Sequence, residues 1–234
     1  MSERTEAQRK KALQERRKQR NKMIRRRRMI FFGGIAVVAV AVVLIITLLV
    51  KTLTGSIVSA NTLTLTDTGV TFEEISSTED LSKSEIKSYA KEVINAFNKE
   101  SGEKLVKLDK VKEKKGVVYV KTSYDSIEAY SDFSGYEAYS GTVASVTEAG
   151  VDLSAVTFVS VADGKKGDVA DAETVTSDDS LKILIIQENA TFVVNGEIQY
   201  VSDENTTVID SSTVSTVNED GSDDSAVWTY IIYK

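Results

Sequence analysis

Residues 29–50 form an apolar segment without a charged side chain, and this segment constrains the fold more than any other feature. Its 22 residues read MIFFGGIAVVAVAVVLIITLLV. As a helix rising about 1.5 Å per residue it extends about 33 Å, enough to cross a hydrocarbon core of about 30 Å. A buried core helix seldom stays apolar on every face over such a length. We therefore predict a single transmembrane helix.

Basic residues crowd the amino-terminal side of this segment. Residues 1–28 hold 13 Lys or Arg against three Glu, and Arg25, Arg26, Arg27 and Arg28 directly precede the apolar run, whereas Lys51 stands alone behind it. Clustered basic residues stay cytoplasmic during insertion. We therefore expect these four arginines to fix the topology in the plasma membrane, with the amino terminus cytoplasmic and the carboxy-terminal domain extracellular. The arm itself suits anionic lipid head groups, the alternative being a cytoplasmic partner or nucleic acid.

The sequence divides into a basic cytoplasmic arm (1–28), a transmembrane signal anchor (29–50), a linker (51–61) and an extracytoplasmic domain (62–234). Val58, Ser59 and Ala60 have the small side chains of a signal-peptidase site, so cleavage after Ala60 is the alternative. An uncleaved anchor is favoured because the apolar run is longer than the hydrophobic region of a usual signal peptide.

The composition excludes several kinds of chemistry. The chain has no Cys and no His, which removes disulfides, thiol nucleophiles, thiolate metal sites and the usual acid–base catalyst near neutral pH. An extracytoplasmic domain without disulfides is commonest in Gram-positive bacteria. All arginines lie in residues 1–28, and a domain without arginine is a poor candidate for binding nucleic acid.

The extracytoplasmic domain shows mixed helix and strand signals. TLTLTDTGVTF (62–72) alternates as a strand does, with a turn or a bulge at Asp67 to Gly69. Ser82 with Glu85 forms a capping box for a helix that Gly102 ends, and Lys115-Gly116 turns a hairpin. Asp125 with Glu128 predicts a second capped helix, and 142–149 a short one. Strands are expected at 155–161, 181–187, 190–201 with a hairpin at Asn195-Gly196, 206–217 and 226–233, with an acidic segment at 163–180.

These patterns predict an α+β fold. We expect a mostly antiparallel sheet or partly rolled barrel with one main helix and one or two short helices on one side, preceded by the transmembrane helix. The stretch GEKLVKLDKVKEKKGVVYVKTSYDSIEAYSDFSGYEAYSGTVASVTEAG (102–150) and the closing WTYIIYK resemble an uncharacterised family of single-pass or lipid-anchored extracytoplasmic proteins of clostridial Gram-positive bacteria. The resemblance implies the same location and carries no activity.

A search for catalytic or metal-binding motifs finds none. The acidic pairs Asp178-Asp179, Asp203-Glu204 and Asp223-Asp224 all lie in polar loop sequence. NEDGSDD (218–224) alternates oxygen ligands as a calcium loop does, but its glycine is misplaced and no bidentate Glu follows. Phosphate-binding glycine loops are missing. We therefore predict no catalytic residue, no metal and no cofactor.

Two features suggest a binding surface. Four aromatic residues in a Ser- and Gly-rich stretch, Tyr130, Phe133, Tyr136 and Tyr139, could form a ligand surface, with core packing as the favoured alternative. Residues 81–121 carry 11 lysines against six acids, while 122–234 carry four lysines against 21 acids. The lysines near the hairpin turn, Lys110, Lys112, Lys114 and Lys115, could face an anionic partner, or they could protect an edge strand from aggregation.

The sequence thus predicts a non-catalytic binding or interaction module of the cell envelope, whose partners would be the lipid bilayer and an envelope protein or anionic wall polymer. One alternative is an envelope hydrolase that uses Asp or Glu. The other is a structural subunit of a division or secretion complex, since a basic tail, one span and a strand-helix-hairpin order are similar to those of division proteins.

Overall fold

The computed structural model describes residues 60–77, 82–217 and 227–234. The predicted transmembrane helix, Arg25 to Arg28 and the loop 218–224 lie outside these ranges. None of the helices in the described ranges is long and apolar enough to cross a membrane. The helices are α1 (Lys83–Ser101), α2 (Ile127–Ser134), α3 (Val143–Glu148) and α4 (Ala172–Thr176), with a 3-10 turn at Leu153–Ala155.

The strands form two sheets. They are β1 (Thr62–Thr66), β2 (Gly69–Ser77), β3 (Val106–Lys114), β4 (Val117–Tyr124), β5 (Ala138–Thr142), β6 (Phe158–Ala162), β7 (Lys165–Ala170), β8 (Lys182–Ile186), β9 (Thr191–Val193), β10 (Ile198–Ser202), β11 (Thr207–Asp210), β12 (Thr213–Ser215) and β13 (Thr229–Tyr233). The seven-stranded sheet has the order β11-β12-β9-β1-β2-β4-β3, and the six-stranded sheet the order β5-β8-β13-β10-β6-β7. Neighbours pair antiparallel except β1 and β9, which are parallel.

The two sheets share one hydrophobic core. Leu63 and Phe72 of the seven-stranded sheet belong to the same buried cluster as Leu184 and Ile231 of the six-stranded sheet. Ile94 of α1 joins this cluster, and Ile86 of the same helix packs with Val118 and Val120 of β4. One face of the seven-stranded sheet is therefore covered partly by α1 and partly by the other sheet.

The six-stranded sheet is buried on both faces. Its Ile183 and Ile232 point away from the shared core and form a second cluster with Val143 of α3 and Val175 of α4. This explains why β8, LKILIIQ in its context, is apolar at nearly every position rather than at alternate ones. Helices thus pack at two separate places, and not on one side as the sequence suggested.

Several local predictions are confirmed. The fold is α+β with mostly antiparallel pairing. Ser82 caps α1 in a capping box with Glu85, and Gly102 ends it in the left-handed conformation. Lys115 and Gly116 turn the β3–β4 hairpin with φ values of 53° and 75°. Thr142 caps the short helix α3.

Other predictions are wrong, and pairing between strands that are distant in sequence explains the first of these errors. Asn195-Gly196 does not turn a hairpin, because β9 joins the seven-stranded sheet and β10 the six-stranded one. The acidic segment 163–180 contains β7 and α4. The cap of α2 is Ser126, whose hydroxyl accepts the Ala129 amide, and not Asp125. Of the two expected sheet forms, the described residues show the mostly antiparallel sheet, as two sheets rather than one, and neither closes into a barrel.

Candidate anion-binding surface

The edge strand β3 carries the lysines that the sequence singled out, and a β-bulge decides where they point. Its apolar residues are Val106, Leu108 and Val111, whose spacing breaks strict alternation. The pairing of β3 with β4 shifts between Leu108 and Lys110, so Asp109 is an extra residue on the edge strand. Because a bulge absorbs one residue, all three apolar side chains pack on the inner side.

The lysines therefore share the outer face of the sheet. Lys110, Lys112 and Lys114 alternate with the inward residues and are all exposed, and Lys115 is exposed in the turn. On β4, Lys121 stands opposite Lys110 and Tyr119 opposite Lys112. Among the described residues, no carboxylate lies within ion-pair distance of Lys110, Lys112, Lys114 or Lys115. The four ammonium groups are thus available to an external anion.

The bulge residue Asp109 is held by its neighbours. Its Oδ1 lies 2.9 Å from Nζ of Lys107, and the Ser123 hydroxyl donates to its other oxygen. Partial burial tends to raise the pKa of Asp109, but the hydrogen bonds from Lys107 and Ser123 outweigh it and leave the pKa below its ordinary value. The hydrogen bond to Asp109, with its charge, raises the pKa of Lys107. Lys107 therefore anchors the bulge, while the other lysines remain free.

Hydroxyl side chains continue this outer face across the sheet. Thr64 on β1 stands opposite Thr71 on β2, and Thr71 stands opposite Ser123 on β4. The next row of paired residues runs across the strands in the order Thr191 of β9, Thr62 of β1, Glu73 of β2 and Lys121 of β4. The hydrophobic clusters of the described residues include none of these outer-face side chains.

The predicted aromatic ligand surface is largely part of the core. Tyr130 is 0% exposed and its ring packs against Phe72 and Tyr124, so it cannot offer contact area to a ligand. Phe133 is half-buried against the ring of Phe97, at 5.3 Å between centroids.

The other two aromatic residues of that group are half-buried. Tyr136 packs against the shared core. Tyr139 packs against the second cluster and donates its hydroxyl to Ser145 Oγ at 3.0 Å. The structure does not bring these four aromatic residues together on a surface, and the pattern of burial matches the core-packing alternative.

Acidic residues meet in one open cleft of about 500 Å³ beside the β1–β2 turn. Asp67, Asp125 and Glu128 line it together with Lys182 and Asn195, and all three acids are exposed to solvent. The general acid of glycoside hydrolysis is a carboxyl group shielded from water, and none of these three is shielded. In the described part of the chain no three metal-ligating side chains converge.

The acidic pairs of the sequence serve local structure where they are described. The Asp178 carboxylate accepts from the Ser180 amide and hydroxyl, and these bonds lower its pKa. Asp203 forms an ion pair with Lys166 at 2.9 Å. Asp223-Asp224 lies outside the described residues.

Sequence reasoning missed a buried carboxylate, Glu188. It is 3% exposed and accepts a hydrogen bond from the hydroxyl of Tyr130. Its backbone carbonyl accepts from the Thr216 hydroxyl at 2.8 Å, and the same hydroxyl accepts the Ala190 amide. The signal was an acidic residue two positions after the buried strand β8 and two positions before the buried Ala190, a place where a solvated loop is not expected.

Comparison of the chain with protein-family models, with curated proteins and with solved structures gives no match.

Proposed function

We propose that this protein is a membrane-anchored, extracytoplasmic binding module of the cell envelope that holds an anionic polymer on the outer face of β3 and β4. The observation that carries the proposal is the set of four exposed lysines, Lys110, Lys112, Lys114 and Lys115, with no carboxylate partner among the described residues. The anchor and the orientation follow from the sequence, and the proposal assigns no catalysis.

The spacing of these lysines suits a linear partner. Residues two apart on one face of a strand are separated by about 6.8 Å, so Lys110, Lys112 and Lys114 present a row of charges about 14 Å long. A flexible polyanion can contact several of these lysines at once, and the combined contacts bind it more tightly than any single one would.

Charge elsewhere in the domain confines the polymer to this edge. From Thr122 onwards the sequence carries 21 acids against four lysines. This acidic remainder repels a polyanion, while the β3–β4 edge attracts it. The electrostatic potential of the domain therefore steers the polyanion to this edge and also strengthens its binding there. The attraction should weaken with salt, because exposed charges are screened beyond about 10 Å at 0.1 M ionic strength.

The test uses the full-length protein in nanodiscs of neutral lipid, with poly(glycerol phosphate) as the probe. The variant Lys110→Gln/Lys112→Gln/Lys114→Gln should bind about tenfold more weakly, since three exposed charge contacts of about 0.5 kcal/mol each add to about 1.5 kcal/mol. The matched control replaces three exposed lysines of α1, Lys87, Lys91 and Lys99, and removes the same net charge.

Three outcomes decide against the proposal. The first is wild-type protein that does not bind the probe at low salt. The second is equal weakening by both triple variants, which would show that only net charge matters. The third is a β3 variant that binds normally but forms aggregates by light scattering, because then the lysines serve to protect an edge strand.

A further inference from the structure

We infer that the polymer is a hydroxyl-bearing phosphodiester, with sugar or polyol units between its phosphates, and that it crosses the strands from the lysines onto the threonines of β1 and β2. This inference rests on the proposed function and deepens it. The observation behind it is the composition of the outer face next to the lysines, which is polar but not basic.

Two threonine hydroxyls on this face are available to a ligand. Thr64 and Thr71 stand opposite each other on β1 and β2, both half-exposed, and neither side chain has a hydrogen-bond partner among the described residues. By contrast, the Thr62 hydroxyl is used by the carbonyl of Ala60 and that of Thr66 by Gly69. A hydroxyl both donates and accepts, so Thr64 and Thr71 can pair with ligand hydroxyls in either sense.

An acidic residue among the lysines also favours a hydroxyl-bearing ligand. Glu73 stands on the outer face opposite Lys121, between the lysines of β3 and β4 and the threonines of β1. A carboxylate only accepts hydrogen bonds, so it repels a bare phosphate chain and accepts from the hydroxyls of a sugar or polyol. We therefore place a hydroxyl-bearing unit of the polymer, and not a phosphate, beside Glu73.

Tyr119 gives the same face a flat contact for such a unit. It lies between Ile75 and Lys112 in register and is half-exposed, so part of its ring faces solvent beside the lysine row. Aromatic rings of this kind offer rigid contact area to the C–H surface of a sugar or polyol. From β3 to β1 the face crosses three strand intervals, about 14 Å, which accommodates a few repeating units of such a polymer.

The experiment compares two probes on the full-length protein in neutral-lipid nanodiscs: poly(glycerol phosphate), and inorganic polyphosphate of matched charge. The variant Thr64→Val/Thr71→Val keeps the shape and the strand propensity of both side chains but removes their hydroxyls. We expect it to bind poly(glycerol phosphate) about tenfold more weakly and polyphosphate within twofold of wild type. Thr157→Val, an exposed threonine outside this face, should bind both probes as wild type does.

The outcomes separate this inference from the proposed function. If the threonine variant changes neither probe, or weakens both equally, the inference is wrong while lysine-dependent binding stands. If the β3 lysine variant also binds both probes normally, the proposed function fails as well. Binding of neutral dextran as tightly as the phosphodiester would overturn the phosphate part of the inference. Unchanged thermal unfolding of each variant, followed by the fluorescence of Trp228, ensures that a loss of binding is not a loss of fold.

Discussion

The buried pair Tyr130–Glu188 gives a quantitative prediction about the stability of the domain. The Tyr130 hydroxyl donates to Glu188, and both residues are almost completely shielded from water. Tyr130→Phe keeps the ring contacts with Phe72 and Tyr124, at centroid distances of 5.5 and 5.1 Å, and removes only the donor. Because removing one partner of a buried hydrogen bond costs about 1 to 3 kcal/mol, we expect a loss of about 2 kcal/mol.

The fluorescence of Trp228 measures this loss. It is the single tryptophan of the chain and is 40% exposed just before β13, so its emission reports on the folded domain alone. For a domain of this size, 1 kcal/mol shifts the melting temperature by about 2 to 4 °C, so Tyr130→Phe should lower it by about 4 to 8 °C. Tyr119→Phe, on the half-exposed outer face, is the matched control and should stay within about 0.5 kcal/mol of wild type.

A double-mutant cycle tests the reasoning further. Glu188→Leu removes the acceptor of the Tyr130 hydroxyl, so Tyr130→Phe can no longer break this bond. Tyr130→Phe should therefore cost about 2 kcal/mol less in the Glu188→Leu background than in wild type. A melting temperature unchanged by Tyr130→Phe, or strictly additive effects of the two substitutions, would refute the claim that this bond stabilises the core.

Two further predictions concern the strand and the helix that frame the candidate surface. The pKa of Asp109 is lowered in the folded protein, so its ionised carboxylate stabilises the fold above its ordinary pKa near 3.8, and this stabilisation is lost as the pH falls through the folded value. The difference in melting temperature between wild type and Asp109→Asn should therefore shrink between about pH 5 and pH 2. A difference that stays constant over this range would contradict the prediction. Ser82→Ala removes the cap of α1 and should cost about 1 kcal/mol in urea unfolding, whereas Ser84→Ala, exposed in the first turn, should cost less than half of that.

Sequence reasoning succeeded where the cause of a structure is local. The capping box of Ser82 and Glu85 and the turn at Lys115-Gly116 depend on residues within one turn of each other, and both appear as predicted. The lysines of β3 were also placed correctly on an exposed strand, because alternation limits where they can point.

It failed where the cause is distant in sequence. Asn195-Gly196 has the composition of a hairpin turn, yet β9 pairs with β1, more than 120 residues earlier, and so leaves β10 to the other sheet. The burial of Tyr130 depends on its packing against β2 and β4, which no local pattern near residue 130 reveals. The β7 strand was missed because its sequence KKGDVA lacks alternating apolar residues. Its strand conformation is instead stabilised by backbone pairing with β6.

The candidate site was predictable in part for the same reason. The lysines could be named from charge alone, but the threonine rows could not, because they arise from the register of strands that are far apart in the chain. The only indication of the bulge at Asp109 in the sequence is the irregular spacing of Val106, Leu108 and Val111.

The central positions of the first and last strands bear on how the domain reaches its folded state. β1, the first strand after the predicted linker, lies between β2 and β9, and β13, which ends one residue before the carboxy terminus, lies between β8 and β10. The seven-stranded sheet is complete once β12 has been synthesised, but the six-stranded sheet cannot complete its hydrogen bonding before β13 has been. The β1–β9 pairing also closes a long loop, which slows folding. A partly synthesised chain without β13 would thus leave one edge of β8 and one edge of β10 unpaired, and a variant that lacks residues 229–234 should fail to fold as completely as one with a deletion in the core.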